Sequence, residues 1–120
     1  MQTGKELKTA QDYLDAADRE FENADALAAT EHLWAAINHT LKDVAARKGW
    51  DYEDDDLYPV VEKVAKMDEQ VGEVLLSSYG AAEGYPEKVH YGYFVWEDGD
   101  SHHMLRVVRE FINEVQRLTA

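Results

Sequence analysis

Residues 24–50 read ADALAATEHLWAAINHTLKDVAARKGW, and this segment decides the fold. Its apolar side chains recur at steps of three and four, the spacing of one face of an α-helix. Arg47 and Lys48 suit the negative end of a helix dipole, and Gly49 can adopt the left-handed conformation that ends a helix. Alanines around the apolar face let a neighbouring helix approach closely, so we expect this helix at the centre of a bundle. The apolar positions are Leu27, Leu33 or Trp34, Ile37, Leu41, Val44 and Ala45.

A helical hairpin is predicted at the N-terminal end of the chain. The first helix is expected to begin at Thr3, because Thr3 and Glu6 have the spacing of a capping box. Asn23 or Asp25 then caps the second helix after a short turn, so the two helices are expected to be antiparallel. The apolar stripe of the first helix is Leu7, Ala10, Leu14, Ala17 and Phe21.

Two more helices are predicted after the acidic residues 51–56. One of Asp54 to Asp56 is expected to cap the third helix, and Pro59 falls in its first turn, where a missing N–H is tolerated. Its core face would comprise Leu57, Val60, Val61, Val64, Met67, Val71, Val74 and Leu75. The last helix is expected to be capped by Asp100 or Ser101, with an inward face of Leu105, Val108, Phe111, Ile112, Val115 and Leu118.

The region between these helices, residues 77–100, is interrupted by Gly80, Gly84 and Pro86. Its aromatic stretch VHYGYFVW, residues 89–96, is expected to be a short helix or an ordered loop packed on the bundle. No internal repeat or low-complexity linker is present. The sequence therefore predicts an all-α fold, a four- to five-helix up-and-down antiparallel bundle, with residues 1–120 forming a single domain.

Composition excludes several classes of function. The chain has 120 residues and no cysteine, which excludes disulfide scaffolds, thiolate metal sites and cysteine nucleophiles. Its 12 basic and 25 acidic residues give a net charge of −13, which argues against direct DNA binding, because phosphate contacts need clustered Lys and Arg. Neither a signal peptide nor an apolar run long enough for a membrane span is found, so a cytoplasmic protein without membrane association is expected.

The order of these segments resembles the HEPN superfamily (higher eukaryotes and prokaryotes nucleotide-binding domain), especially its compact stand-alone prokaryotic members. The helical hairpin of residues 10–50 is similar to the first two helices of that family. The acidic spacer and the Val/Leu-rich helix of residues 57–76 are similar to its third. VHYGYF, residues 89–94, before a last amphipathic helix, resembles an LHxNFY-like segment of some members. The resemblance implies a four- to five-helix up-and-down bundle of a kind that commonly forms two-fold dimers.

Many HEPN proteins are RNases of toxin–antitoxin, abortive-infection or phage-defence systems, and their catalytic motif is Arg followed after four to six residues by His. This chain departs from that motif, because none of its arginines is followed by a histidine at that spacing. The arginines are at positions 19, 47, 106, 109 and 117, and the histidines are at 32, 39, 90, 102 and 103. The resemblance therefore implies the fold without the standard nuclease site.

Candidate catalytic residues are His102, His103 and Arg106, which keep the right residue types in reverse order. His102 and Arg106 are one helical turn apart, and a histidine base beside an arginine that steadies a phosphate would suit RNA cleavage. The alternative is that both histidines are ordinary surface residues of the first turn. Metal binding by His32 and His39 is disfavoured, because seven helical residues rise about 10.5 Å, too far for one zinc ion. No metal or cofactor is expected.

Two surfaces are candidates for binding. Tyr91, Tyr93, Trp96 and Trp50 could stack on a base or serve as interface anchors. An acidic docking surface is formed by Asp51, Glu53, Asp54, Asp55 and Asp56, whose alternative role is to solvate the protein.

The sequence favours a dimeric, non-catalytic HEPN-like binding or regulatory module of a toxin–antitoxin, defence or phage–host interaction system. One alternative is a divergent metal-independent RNase. Another is an acidic inhibitor that mimics nucleic acid and binds a protein with a basic surface. Whether RNA or a nucleotide is bound stays open.

Overall fold

A computed structural model describes residues 7–91 and 100–120, and these residues form five helices. The helices are α1 (Ala10–Glu22), α2 (Ala26–Lys48), α3 (Tyr58–Ala65), α4 (Glu69–His90) and α5 (Asp100–Leu118). Within the described ranges the only β pairing is an isolated bridge between Glu53 and Asp56. The prediction of an all-α, up-and-down antiparallel bundle is therefore confirmed.

Helix α1 begins later than its sequence predicts. Thr3 lies outside the described residues, but Leu7 and Lys8 are not helical, so the expected start at Thr3 is wrong. Thr9 caps the helix instead: its hydroxyl accepts from the Asp12 N–H, and the Asp12 carboxylate accepts from the Thr9 N–H. This is a capping box six residues further along, with Asp in place of Glu.

A tight turn joins α1 to α2 and makes them an antiparallel hairpin. Asp25 caps α2 through a bond from the Ala28 N–H to its side chain, 3.2 Å long. Ala24 takes a left-handed backbone conformation, with φ of +60°. Asn23 is the C-cap of α1 rather than a cap of α2. Of the two predicted caps, Asp25 is therefore the correct one.

Helix α2 is the central element, as predicted, and it contacts each of the other four helices. Leu33, Ile37, Leu41 and Val44 are fully buried along it. Small residues are buried beside them: Ala29, Ala36 and Ala45. The helix ends at Gly49, whose φ of +71° is the expected left-handed cap.

The predicted third helix is in fact two helices, separated by Lys66, Met67 and Asp68. Asp68 caps α4 by accepting a hydrogen bond from the Val71 N–H. Gly72 in the first turn of α4 packs against the last residue of α3: a Cβ placed there would lie 2.1 Å from the Ala65 carbonyl oxygen. The break turns Met67 and Val74 outward, 44% and 62% exposed, so their assignment to the core is wrong.

Helix α4 continues through the residues that were expected to interrupt it. Gly80, Gly84 and Pro86 all lie inside it. Pro86 is four residues from the last helical residue, so its missing N–H removes one bond near the end of the helix. Tyr79, Ala82 and Tyr85 are buried on the same face, and this apolar stripe keeps the segment helical against its low propensity. The short helix or loop expected at residues 89–96 lies mostly outside the described residues.

Helix α5 begins at Asp100 and closes the bundle with the apolar face predicted for it. Leu105, Val108, Phe111, Ile112 and Val115 are buried, and Leu118 packs partly against the core. The end of α5 is fixed to the end of α2, because the Arg47 guanidinium donates to the Thr119 carbonyl and hydroxyl oxygens, at 3.3 and 3.4 Å.

Candidate functional site

The catalytic candidates lie on the solvent side of the first two turns of α5. His102, His103 and Arg106 are all exposed, whereas their neighbours Met104 and Leu105 are buried. An Arg106 guanidinium nitrogen, Nη2, is 3.3 Å from Nδ1 of His103. The structure therefore pairs Arg106 with His103, three residues away, and not with His102, which the helical spacing had suggested.

The contact with Arg106 limits the use of His103 as a base. A guanidinium has no acceptor, so in this contact Arg106 donates and Nδ1 of His103 accepts. While this contact lasts, Nδ1 of His103 is engaged by the arginine and cannot accept a proton from a hydroxyl group.

The predicted aromatic binding residues are only partly described. Tyr93 and Trp96 lie outside the described residues. Tyr91 is 60% exposed just after α4, and its ring meets the His90 ring edge-on, with centroids 4.9 Å apart. Trp50 is half-buried against the core, and Nζ of Lys63 lies 5.2 Å from the centre of its ring. The Trp50 ring thus already carries a cation from the same chain.

The acidic surface is exposed along its whole length. All five of its carboxylates are exposed: Asp51, Glu53, Asp54, Asp55 and Asp56. Asp56 has a structural role, because its side chain accepts from the Tyr58 N–H at the start of α3. Asp54 lies 3.6 Å from Nζ of Lys42, an exposed pair that contributes little to stability. A small depression, about 180 Å³, is lined by Asp51, Tyr52, Glu53, Asp56 and Pro59.

His32 and His39 lie along the seam between α1 and α2. Nδ1 of His32 is 2.5 Å from a carboxylate oxygen of Glu20, a contact the sequence did not predict. The Tyr13 ring lies near both imidazoles, with centroids 6.1 Å from His32 and 5.9 Å from His39. Both histidines are half-buried, so this group ties the hairpin together through one hydrogen-bonded carboxylate and aromatic packing.

An aromatic cluster joins α2, α3 and α4 on another side of the bundle. The Tyr79 ring lies 5.0 Å from Trp34 and 6.1 Å from Tyr58, measured between centroids. Burial, followed by the negative charges of Glu83 and Asp56, raises the pKa of the Tyr79 hydroxyl to about 12. Burial also raises the pKa of Tyr85. Both phenols are therefore neutral structural residues at physiological pH.

The sequence missed an open apolar groove between α4 and α5. Its volume is about 450 Å³, and Leu75 and Phe111 form its buried base. Val71, Val74 and Val107 form its apolar walls, and polar residues stand around them: Gln70, Ser78, Glu110 and Glu114. The exposure of Val74, 62%, is the clearest sign that this face is incomplete.

The described residues contain neither a cluster of metal-ligating side chains nor a helix suited to crossing a membrane. In residues 7–91 and 100–120, no three or more His, Asp or Glu side chains are grouped as metal ligands. Nor does any helix in these ranges combine the length and apolar character that crossing a bilayer requires.

Comparison with known proteins agrees with the architecture. A model of the HEPN domain family matches residues 5–118, nearly the whole chain. Searches of curated proteins and of solved structures found no match. Five antiparallel helices, with α2 at the centre, are the all-α arrangement that the resemblance implied. On the extent of this match, the chain belongs to the HEPN domain family.

Proposed function

We propose that this protein is a non-catalytic HEPN module that forms dimers and acts by binding, as a regulatory component of a toxin–antitoxin, defence or phage–host interaction system. One observation supports it most: in the only Arg–His contact on the exposed face of α5 among the described residues, Nη2 of Arg106 lies 3.3 Å from Nδ1 of His103, so the arginine engages one ring nitrogen of a candidate base. The missing Arg-to-His spacing of the sequence points the same way.

A nuclease assay tests this proposal directly. Purified protein is incubated with a long single-stranded RNA in EDTA, which removes divalent metals. We expect no cleavage above that of a sample carried through the same purification without the protein. Cleavage that disappears in both His103→Ala and Arg106→Ala would contradict the proposal and establish the divergent RNase. Arg109→Ala is the matched control, because it removes an exposed arginine from the same helix.

The RNase alternative has one specific observation in its favour. His103 and Arg106 are in contact and exposed, so a bound phosphate could withdraw the guanidinium from Nδ1 and free it as a base. In that case RNA cleavage would need both side chains, so His103→Ala should abolish it as completely as Arg106→Ala. Absence of cleavage from acid to alkaline pH excludes this alternative.

The acidic surface supports a second binding hypothesis, an inhibitor that mimics nucleic acid. Its five exposed carboxylates lie within six residues of one another, on a chain of net charge −13. A basic partner captured from native cells should bind tightly at low salt and dissociate steeply as salt rises. Replacing Asp54 and Asp55 by Lys should abolish that binding. Glu31→Lys and Glu69→Lys together are the matched control, because both residues are exposed outside the acidic surface.

A further inference from the structure

The groove between α4 and α5 is long enough for two turns of another helix. Its α4 wall extends from Val71 to Ser78 and its α5 wall from Val107 to Glu114. Seven residues of a helix rise about 10.5 Å, so both walls are two turns long. The exposed Val74 leaves apolar surface open along this length. A helix that packs there can place side chains at i, i+3 or i+4, and i+7 against both walls.

The charges at the groove are of one sign. Its lining includes two carboxylates, Glu110 and Glu114, and no Lys or Arg. On α4, Glu69 and Glu73 are exposed in the first two turns, and the helix has no cation before Lys88. A molecule in the groove therefore meets negative potential from both helices, on a chain of net charge −13.

The arginines of α5 leave one of the groove carboxylates without a partner. Arg117 donates to Glu114, with Nε and Nη2 at 2.8 and 2.6 Å from the same carboxylate oxygen. Arg106 lies one turn before Glu110, but its guanidinium contacts His103 instead. Glu110 is exposed and forms no ion pair with any of the described residues. Its carboxylate is therefore available to a cation from another molecule.

This combination of shape and charge selects the kind of molecule that covers the groove. A two-fold contact joins the same patch of both subunits, so a second copy would bring two more carboxylates to a groove that no cation lines. Nucleic acid is disfavoured by its negative phosphates. An apolar stripe bordered by Lys or Arg is complementary, and it is the pattern of a basic amphipathic helix.

We infer that the α4–α5 groove binds a basic amphipathic helix of a partner protein. The apolar side chains of that helix cover Val74 and Val107, and a Lys or Arg beside them pairs with Glu110. The contact is only two turns long, so the bound segment is a short motif, and its affinity falls as salt screens the ion pair. This inference rests on the proposed function, since it specifies what the module binds.

Selection from random peptides tests the chemistry of the partner. The full chain is immobilised, and binders are selected from a displayed library of random peptides of about 14 residues, roughly four helical turns. The enriched peptides are expected to share apolar residues at steps of three and four, bordered by Lys or Arg. Enrichment of acidic peptides, of peptides without the helical period, or of none at all overturns the inference.

The affinity of an enriched peptide for variants of the full chain locates its site. Val74→Glu adds a negative charge, so general attraction to an acidic protein would tighten, whereas binding in the groove should weaken about tenfold or more. Met67→Glu is the matched control: Met67 is exposed, 44%, and does not line the groove, so binding should persist. Fluorescence anisotropy measures both, and unweakened binding to Val74→Glu overturns the inference.

The ion pair is tested apart from the apolar wall. Glu110→Gln should weaken the peptide about threefold to tenfold at low salt and much less at high salt, because salt screens the lost interaction. Glu31→Gln is the matched control, since it removes an exposed carboxylate of α2 that does not line the groove. Equal losses in the two variants would assign the effect to the net charge and overturn the pairing with Glu110.

Two further measurements separate this inference from its alternatives. In sedimentation equilibrium, the wild type and Val74→Glu should have the same oligomeric state; a wild-type dimer that the variant dissociates would make a second copy the occupant and overturn the inference. RNA cleavage by a chain that binds the peptide in the groove refutes the proposed function only. A chain that neither cleaves RNA nor binds such peptides refutes this inference only.

Discussion

The α1–α2 hairpin and the α3–α4 pair have equally regular apolar patterns, but different interactions fix their geometry. Local signals define the hairpin: a Thr9 capping box, an Asp25 cap and a left-handed Gly49. The α3–α4 pair depends instead on a close approach between backbones, where Gly72 meets the carbonyl of Ala65. The difference teaches that a helical period identifies which residues are helical, but not where one helix stops and the next begins.

The largest expected effect compares one residue from each region, both predicted from sequence to be in the core. Leu33 in α2 is 0% exposed, and Leu33→Ala should lower the free energy of unfolding by about 3 to 4 kcal/mol through lost burial and the cavity left behind. Val74→Ala in α4 should change it by less than about 0.5 kcal/mol, because the side chain is already in solvent. Urea denaturation of a low-concentration sample measures both, and a similar loss in the two variants would show that Val74 is buried.

The next effect tests the close approach itself. Gly72→Ala should destabilise the protein by about 2 to 3 kcal/mol, because the new Cβ would lie 2.1 Å from the Ala65 carbonyl oxygen and one helix must move. Gly80 is the matched control in the same helix, with nothing within 4 Å of its added Cβ. Gly80→Ala should therefore increase the unfolding free energy by about 0.5 to 1 kcal/mol. Thermal denaturation followed by circular dichroism ranks the wild type and the two variants. A Gly72→Ala variant more stable than the wild type would contradict the close approach of Gly72 to Ala65.

These cases show how much of the fold can be predicted from the sequence. The central helix, its C-cap and the apolar face of α5 follow from periodicity and capping alone. The break at residues 66–68 does not, because the apolar spacing continues through it and the cap, Asp68, looks like any surface aspartate. Gly80, Gly84 and Pro86 suggested an interruption that the structure does not have. Burial of Tyr79 and Tyr85 outweighs the low helix propensity of these residues.

The candidate site was predictable to a smaller extent. The sequence placed His102 and Arg106 one turn apart on one helix, whereas in the structure Arg106 contacts His103, because side-chain rotamers that spacing does not fix decide which nitrogens meet. The groove between α4 and α5 was not predictable, because it arises where the exposed Val74 of one helix lies beside another helix distant in the chain. Such surfaces depend on tertiary packing rather than on any local pattern.

A pH-dependent effect links the two regions, since Tyr79 of α4 packs on Trp34 of α2. Its pKa is about 12 in the folded protein, whereas the ordinary value for a tyrosine in water is 10.0. The folded state therefore holds this proton more tightly, so its stabilising contribution is complete below pH 10 and is lost as pH rises toward 12. A shift of this size corresponds to about 3 kcal/mol. Denaturation between pH 8 and about 11.5 should show a shallower decline for Tyr79→Phe than for the wild type; parallel declines would contradict the raised pKa.

The smallest effect compares the caps of the two regions. Asp25 accepts from the Ala28 N–H at 3.2 Å, and Asp68 accepts from the Val71 N–H at 3.1 Å, so the two bonds are nearly identical. Replacing either by Ala should lower the unfolding free energy by about 1 kcal/mol, whereas Asn, which keeps an acceptor, should cost much less. Equal losses would mean that both caps act locally, and that the contact of Gly72 with Ala65 separates α3 from α4. A much larger loss in Asp68→Ala than in Asp25→Ala would assign that separation to the cap, and the two regions would then be stabilised by the same kind of local signal.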